Sequence, residues 1–292
     1  MEIYVIILVR GIGVGTILAL IAMSYNVVYS SSGILNFAQG NMFVLAGLFG
    51  FLLVPADPTY THWWLLLPAA AATLAAVIAI QGYVTLLPLR SSIEQHSWLI
   101  TTLAVSVIIS ATILLAQGSA QPRVPTPFPN FAIFGTRTPA PYAMTVGLAI
   151  LWYVALRLFY ARTLAGLAIS AIAQDLDAAR AAGIRVRRLQ VIAFGISGLI
   201  VGSAGFVGAP VIAIANDSGV PYALNGFVAA VVGGLGSNLG ALVGGTLVGV
   251  AGMYAAYQYG GEFQNAVSLG LLIIVLMVRP QGLFGRPQAR RV

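Results

Sequence analysis

The stretch GILNFAQGNMF, residues 33–43, places three side-chain amides in a strongly apolar part of the chain. Asn36, Gln39 and Asn41 each carry hydrogen-bond donors and an acceptor, and in nonpolar surroundings all of these groups need partners. A neutral amide can also hydrogen-bond a passing polar solute. The segment is therefore either a buried packing feature or part of a path for a solute.

A second segment of similar character, GGLGSN at residues 233–238, interrupts another long apolar run. Non-helical backbone at membrane depth survives only inside protein or along a cavity, so paired interruptions in the two halves of a membrane protein point to a transport site. Their similarity also suggests a distant internal duplication. The residues predicted to line a substrate path are Asn36, Gln39, Gly40, Asn41, Gly234, Gly236, Ser237 and Asn238.

Several other kinds of chemistry are excluded by the residues that the chain lacks. It has no cysteine, which rules out disulfides, thiolate metal sites and cysteine nucleophiles. All 14 basic residues are arginine, so the lysine of a Walker A loop is missing. His62 and His96 have no clustered acidic neighbours to complete a metal site, and no G-x-S-x-G elbow occurs. We expect no catalytic residue, metal or cofactor here; ATP, if used, is bound by another chain.

The elements that position these residues belong to a membrane protein. Only 7% of the 292 residues are charged and 59% are hydrophobic, with a mean hydropathy of +0.95. A soluble domain has about 25% charged residues. The net charge of +7 is typical of arginine-rich cytoplasmic loops, so nucleic acid is not a predicted partner. The first apolar region continues without a cleavage site, and we expect the N-terminus to be retained.

The lengths of the uncharged runs predict the number of crossings. A crossing takes about 20 residues, so the runs 11–56 and 218–261 hold two crossings each. The remaining runs hold one each, which gives nine, and they are 58–89, 95–122, 138–156, 189–216 and 263–278. We predict an all-α polytopic bundle of about eight to nine crossings with interrupted helices, as one transmembrane domain over residues 1–292.

The positions of the arginines predict the orientation in the membrane. Segment 157–188 carries six arginines and the tail carries four, and both are expected on the cytoplasmic side. An even number of crossings between them requires 218–261 to cross twice, with a short first pass near Tyr222 to Val232. The N-terminus is then outside and the C-terminus cytoplasmic.

Two segments between crossings are candidate contact sites for partners. Prolines make the external loop 118–141 stiff and extended, which suits a connector or a platform for an external binding protein. The cytoplasmic segment 161–188 contains strong helix formers from Ala171 to Ala182, and Gly183 can end that helix in the left-handed conformation. The helix is either a solvated connector or a docking helix for a cytoplasmic partner.

Glycines recur every four residues at two places in the second half of the chain. They are Gly198 and Gly202, and then Gly236, Gly240 and Gly244. Small residues at this spacing let helices approach closely. We expect them to pack within the subunit, with contact to a second membrane subunit as the alternative.

Five ordered segments resemble the Liv-type permeases, the membrane subunits of branched-chain amino acid ABC importers. They are ILNFAQGNMFVLAG, LPLRSS, AIAQDLDAARAAGI, FVAAVVGGLGSNLGALVGGTLVG and, at residues 275–287, VLMVRPQGLFGRP. The resemblance implies a multi-pass protein of a bacterial inner membrane, surrounded by lipid. Its implied partners are a second permease, expected to be a different chain, two cytoplasmic ATPases that bind ATP and Mg²⁺, and an external solute-binding protein.

The resemblance also implies roles for individual residues. Segment 170–184 matches the family's coupling helix, which transmits ATPase closure to the membrane helices and opens the path alternately to each side. The residues assigned to ATPase coupling are Ala173, Asp175, Ala178, Ala179, Ala182 and Gly183. The amide segment matches the family's N-F-A-(H or Q)-G-E signature, except that Asn41 stands where the family usually has glutamate.

Asn41 bears on the choice of substrate, because a neutral amide cannot supply a full countercharge for an ammonium group. Branched-chain or hydrophobic amino acids are the implied substrates, with urea, amides and aromatic or carboxylic acids as alternatives. The rival class is a secondary carrier or channel, which more typically has an acid or histidine inside the membrane as a coupling group. No acid lies inside the uncharged runs, and both histidines lie near their ends, which favours the ABC permease.

Overall fold

Apolar helices form most of the described chain. The structure, a computed structural model, describes residues 2–54, 65–86, 97–118, 121–122, 124–126, 129–133 and 136–285. The helices are α1 (Glu2–Ser32), α2 (Gln39–Leu53), α3 (Leu66–Leu86), α4 (Ser97–Gln117), α5 (Ala140–Arg162), α6 (Leu164–Gln174), α7 (Leu176–Ala181), α8 (Val186–Gly208), α9 (Gly219–Gly233), α10 (Asn238–Tyr259) and α11 (Phe263–Val278). The segment LPLRSS, both histidines, part of the proline-rich segment and residues 286–292 lie outside the described residues.

Six of the described helices are long and apolar enough to cross a membrane, namely α1, α3, α4, α5, α8 and α10. The helices α2, α9 and α11 are shorter, with 15, 15 and 16 residues. The chain is therefore an all-α polytopic membrane protein, as predicted. Each run expected to hold two passes is divided into two helices, α1 with α2 and α9 with α10. The number of crossings and the orientation of the termini stay predictions.

Helix α1 lies at the centre of the bundle. Leu20, Ile21, Met23 and Tyr25 in its middle are fully buried, and it packs against α10, α8, α9 and α5. In lipid, apolar burial gives little drive for helix association, so close packing and hydrogen bonds have to supply it. The residues that allow close packing and the polar side chains of α1 therefore determine how the bundle is held together.

Glycines bring α10 into backbone contact with two neighbours. A Cβ added to Gly245 would lie 2.5 Å from the backbone nitrogen of Ala19 on α1, and Gly249 contacts α1 one turn further along. Gly240 and Gly244 contact the backbone of α9 instead. Of the predicted glycines on this helix, Gly240 and Gly244 thus serve packing inside the subunit, as Gly245 and Gly249 do on a second face. Gly236, which precedes the helix, meets only the Ser30 hydroxyl, at 3.7 Å from an added Cβ.

A short hairpin lies within the segment that was predicted to be stiff and extended. Its strands are β1 (Phe131–Ile133) and β2 (Thr136–Thr138), which pair antiparallel with Ala132 opposite Arg137. The described residues between α4 and α5 contain no helix, in agreement with the proline content. The strand pairing itself was not predicted, because three-residue strands are too short to show an alternating pattern.

Candidate functional site

The two short helices α2 and α9 begin side by side. Gly40, in the first turn of α2, lies so close to α9 that an added Cβ would overlap the carbonyl oxygen of Gly219. Gly219 in turn lies against the side chain of Asn41. Both helices therefore place the positive ends of their dipoles in the same region of the bundle.

Asn36, in the loop before α2, forms a reciprocal amide pair with Gln81 of α3. The Asn36 Nδ2 donates to Gln81 Oε1 at 3.0 Å, and Gln81 Nε2 donates back to Asn36 Oδ1 at 2.8 Å. Asn36 Oδ1 also accepts from the backbone N–H of Ala38 at 3.1 Å. Both amides are buried, so this pair holds the interrupted segment against α3.

Gln39, the first residue of α2, connects that helix to two others. Its Nε2 donates to Ser24 Oγ on α1 at 3.1 Å and also to Ser197 Oγ on α8. Its Oε1 accepts from Asn36 Nδ2 at 3.4 Å. The start of α2 is thus joined by side-chain hydrogen bonds to α1 and α8, and through Asn36 to α3.

Asn41 extends the same cluster to α4. Its Nδ2 donates to the backbone oxygen of Ser106 at 2.7 Å and to Ser106 Oγ at 2.6 Å. Its Oδ1 is buried and accepts no hydrogen bond from the described residues. A buried acceptor without a donor is unfavourable by about 1–3 kcal/mol. Asn41 therefore carries a free acceptor beside the starts of α2 and α9.

The second predicted segment, between α9 and α10, is held by Asn26 of α1. Asn26 Oδ1 accepts from the Gly236 N–H at 2.9 Å, and its Nδ2 donates to the Ser237 carbonyl oxygen at 2.9 Å. Gly234 and Gly236 have φ values of +106° and +83°, which favour glycine. Asn238 begins α10, and its buried Oδ1 accepts no hydrogen bond from the described residues.

The two predicted segments do not hydrogen-bond to each other, but they meet the same part of α1. Ser24 bonds to Gln39 of the first segment, and Asn26 bonds to the second. The ring of Phe37, in the first segment, lies 6.2 Å from the ring of Phe227 on α9. Gln39 of the first segment and Gly236 and Ser237 of the second segment therefore bond to the C-terminal half of α1, in two separate groups.

Sequence reasoning missed the partners of these residues, which are Ser24, Asn26, Gln81, Ser106 and Ser197. All are uncharged polar residues in apolar helices, and their partners are distant in sequence. One rule could have identified them as candidates: a polar side chain in a membrane helix is expected to hydrogen-bond to a group on another helix. The rule identifies residues that need a partner, but it does not say which residue that partner is.

Replacing Asn26 is expected to lower the thermal stability of the protein more than most single substitutions. Asn26→Leu removes two hydrogen bonds and leaves the Gly236 N–H without its protein partner, while the Ser237 carbonyl oxygen keeps its bond from the Ala241 N–H, at a cost of about 1–2 kcal/mol. We expect earlier loss of monodisperse elution when the detergent-solubilised chain is heated. Gln258→Leu, an amide change at an exposed site on α10, is the control, and equal melting of both variants would contradict the role of Asn26.

The C-terminal segment 279–285 hydrogen-bonds to the C-terminal end of α9. The backbone N–H groups of Leu283 and Phe284 donate to the carbonyl oxygens of Val232 and Gly233, both at 2.9 Å. These bonds satisfy carbonyls that the end of a helix leaves unpaired. The RPQGLFG part of the segment 275–287 thereby holds in place the loop that contains the second set of predicted path residues.

The predicted coupling segment consists of two helices, so the expectation of one helix over 170–184 was wrong in one respect. The chain breaks at Asp175, whose backbone is extended and whose Oδ1 accepts from the N–H groups of Asp177 at 2.9 Å and Ala178 at 3.0 Å. Asp175 is thus the N-cap of α7. Gly183, with φ +79°, follows the end of α7 as predicted, and the Ile184 N–H returns to the Ala179 carbonyl oxygen at 3.1 Å.

The side chains of the coupling segment divide into a buried and an exposed group. Ile172, Ala179 and Val186 form a small apolar core that fixes α6 and α7 against the start of α8. Ala179 is therefore the one predicted coupling residue that is buried. The others are exposed, namely Ala173, Asp175, Ala178, Ala182 and Gly183.

Gly183→Ala tests the left-handed end of α7. An added Cβ would have nothing within 4 Å, so the cost is the backbone conformation alone, about 1–2 kcal/mol. We expect a faster hydrogen exchange of residues 176–183. Gly147→Ala on α5 also meets nothing within 4 Å but keeps helical φ, and it is expected to be neutral or stabilising; a similar loss in both variants would contradict the conformational cause.

Comparison with known proteins identifies the family. The family described as branched-chain amino acid transport system / permease component matches residues 7–276. The chain belongs to this family. The matched span contains both interrupted segments and the whole coupling segment, and it confirms the resemblance that the ordered motifs indicated. The permease is a multi-pass protein of the inner membrane.

Relatives match this permease over nearly its full length. The high-affinity branched-chain amino acid transport system permease protein BraD of Pseudomonas aeruginosa is 30% identical, over 98% of this chain and 97% of its own. The corresponding permease protein LivH of Salmonella typhimurium is 30% identical, over 97% of this chain and 96% of its own. LivM of Escherichia coli, also named a permease protein of such a system, is 27% identical over 93% of this chain and 69% of its own.

Proposed function

We propose that this permease imports branched-chain or other hydrophobic amino acids as the membrane subunit of a binding-protein-dependent ABC importer. Its relatives are named as permeases of high-affinity branched-chain amino acid transport systems. The observation that carries the proposal is the meeting of α2 and α9 at a cluster of buried amides. Half-length helices that begin inside a bundle are where transporters bind their substrates.

The proposed path passes between α2 and the helices that its amides now contact. Asn36, Gln39 and Asn41 are 0%, 0% and 2% exposed, so a solute reaches them only after α2 moves relative to α3, α4 and α8. During alternating access, hydrogen bonds between protein groups are then replaced by hydrogen bonds to the solute, so the net change in free energy is small. Gly234, Gly236, Ser237 and Asn238 would form the other wall.

The chemistry of the cluster supports a small solute with both a carboxylate and an N–H donor. The adjoining starts of α2 and α9 favour negative charge, while Asn41 Oδ1 has a free acceptor for an N–H group. Because Asn41 is neutral, it accepts from an amide as well as from an ammonium group. Solutes that carry only one of these two groups are the alternatives to a branched-chain amino acid: amides and urea have the N–H donor, and aromatic or carboxylic acids have the carboxylate.

The proposed topology places the exposed face of α6 and α7 in the cytoplasm. In this proposal the N-terminus is outside, the chain forms one domain over residues 1–292 with about eight to nine crossings, and the loop 118–141 is external. The five exposed coupling residues named above would contact an ATPase surface. ATP and Mg²⁺ would be bound by two such ATPase subunits, since this chain lacks the lysine that a Walker A loop requires.

The remaining proposed partners are a second permease and an external solute-binding protein. LivM, a distant relative of this chain, is named as a permease of the same kind of system in which LivH is named. That pair of names supports a membrane core made of two different chains. Membrane lipid surrounds the assembly, and no nucleic acid takes part.

The proposal is tested by tagging the C-terminus, expressing the chain with its neighbouring genes, and identifying all proteins that co-purify in mild detergent. We expect two ATPases and a second permease, and ATP-dependent uptake of radiolabelled leucine by proteoliposomes that contain the complex and the binding protein. Recovery of the chain alone, with leucine uptake independent of ATP, would overturn the ABC assignment in favour of a secondary carrier or channel.

A further inference from the structure

A basic groove lies where the end of α3 meets the start of α8. The two helices run side by side in opposite directions, with Gly198 against Ala75 and Gly202 against Ala71. The groove has a volume of about 650 Å³. Four arginines line it, together with Tyr83 and several aliphatic side chains, and they are Arg180, Arg185, Arg187 and Arg188.

The groove carries a concentrated positive charge. Its described lining residues include no aspartate or glutamate. Asp177, in the same segment, pairs with Arg180 at 3.5 Å, with both side chains more than half exposed. An exposed ion pair of this kind contributes little and neutralises at most one of the four guanidinium groups of the groove. The groove therefore favours an anion.

Arg187 has donors that point to a specific ligand. Its guanidinium carbon lies 4.9 Å from the centre of the Tyr83 ring, which fixes the side chain against α3. Its Nε and one terminal nitrogen are buried and donate to none of the described residues. Buried donors of a charged group need an acceptor, and the planar fork of arginine matches the oxygens of a phosphate.

The apolar side of the groove continues along two membrane helices. Ile192 of α8 lines the groove, and Ile80 and Val84 of α3, within one helical turn of Tyr83, are exposed large aliphatic residues. Both helices are long enough to span the membrane. A ligand that fills the groove thus meets phosphate-binding donors at one end and a hydrocarbon surface at the other. An acidic protein surface would use the arginines but not the aliphatic strip.

We propose that this groove is a specific binding site for an anionic phospholipid such as phosphatidylglycerol. The phosphate is bound by Arg187, with Arg185 and Arg188 adding charge, and the acyl chains lie along Ile80, Val84 and Ile192. Basic pockets between membrane helices are suited to anionic headgroups. A lipid bound here rests on the start of α8, directly after the coupling segment, and stabilises the junction between α7 and α8.

The test uses the full chain, purified and delipidated in neutral detergent, and counts bound phosphatidylglycerol or phosphatidylcholine by native mass spectrometry. We expect wild type to retain phosphatidylglycerol preferentially and Arg187→Gln/Arg188→Gln to bind it about tenfold more weakly, because two charges are lost. Arg185→Gln/Arg188→Gln, which changes only exposed side chains, is expected to weaken binding without affecting the fold.

The matched control is Arg157→Gln/Arg162→Gln, which removes the same charge from exposed positions on α5 and is expected to bind phosphatidylglycerol like wild type. Equal weakening in this control, or no weakening in the groove variants, would overturn the proposal. So would competition by glycerol phosphate as effective as that of the lipid, which would show a phosphate site without acyl recognition. The assay needs neither ATPases nor uptake, so its result is independent of the proposed transport function.

Discussion

Replacing Asn36 with leucine is expected to lower leucine uptake by the reconstituted complex by about tenfold or more, equivalent to at least about 1.4 kcal/mol in binding or transport. Asn36 is fully buried and forms a reciprocal amide pair with Gln81. If the path passes here, a solute takes over these hydrogen bonds during transport. A leucine side chain at position 36 has no hydrogen-bond donor or acceptor for the solute, even if it packs well.

A second replacement separates transport from stability. Asn36→Leu alone leaves the Gln81 amide buried without its partner, which costs about 1–3 kcal/mol of folding free energy. Replacing both residues with apolar groups of similar size removes the unpaired Gln81 amide, while the Ala38 N–H and Gln39 Oε1 still lose their bonds to Asn36. We therefore expect Asn36→Leu/Gln81→Leu to regain part of the lost thermal stability in detergent without regaining uptake.

An amide pair outside the predicted path provides the control. Asn225 of α9 donates to Asn265 Oδ1 of α11 at 2.8 Å, and Asn225→Leu/Asn265→Leu removes it in the same way. This variant is expected to keep uptake within about twofold of wild type, since neither residue meets the amide cluster. Recovery of uptake together with stability in the Asn36/Gln81 double variant would show that the cluster is a packing feature and not a path.

The sequence indicated where the bundle is interrupted because the interruptions are local. The amides and glycines of 33–41 and 233–238 break two apolar runs too long for one crossing, and the structure divides both runs at these places. The left-handed Gly183 followed from the same kind of local argument. Features written in a few adjacent residues could therefore be predicted.

The partners of the amides could not be predicted, because pairing between helices depends on packing. Asn36 and Gln81 are 45 residues apart, Asn41 and Ser106 are 65 apart, and Asn26 and Gly236 are 210 apart. The sequence of an apolar helix with a single serine or glutamine does not indicate which neighbouring helix that side chain contacts. Apolar residues are also exposed to lipid on the outside of the bundle, so hydrophobic periodicity does not mark the core.

The break at Asp175 shows a different limit. Alanines on both sides predict a continuous helix, but an aspartate followed by a helical turn is also an N-cap signal. Here the cap prevailed, because the small core of Ile172, Ala179 and Val186 requires α7 to turn against α8. The sequence is compatible both with a continuous helix and with an N-cap at Asp175, and tertiary contacts favour the N-cap.

The same break predicts a large effect at a single position of the coupling segment. Asp175→Ala removes the acceptor for two N–H groups at the start of α7, at a cost of about 1 kcal/mol. A helix of six residues has little stability of its own, so the loss falls on the conformation of α7. We expect ATP-dependent uptake to fall by about fivefold while the amount of assembled complex stays close to that of wild type.

Two further variants decide what Asp175 does. Asp175→Asn keeps the oxygen that accepts the N–H groups of Asp177 and Ala178, so it restores uptake if the cap alone matters and fails if the charge orients an ATPase surface. Asp177→Ala breaks only the exposed pair with Arg180 and is expected to keep uptake within about twofold, because exposed ion pairs contribute about 0–1 kcal/mol. ATP hydrolysis that continues while uptake is lost in Asp175→Ala would place the defect in coupling. Unchanged uptake in that variant would mean that neither the cap nor the break between α6 and α7 serves transport.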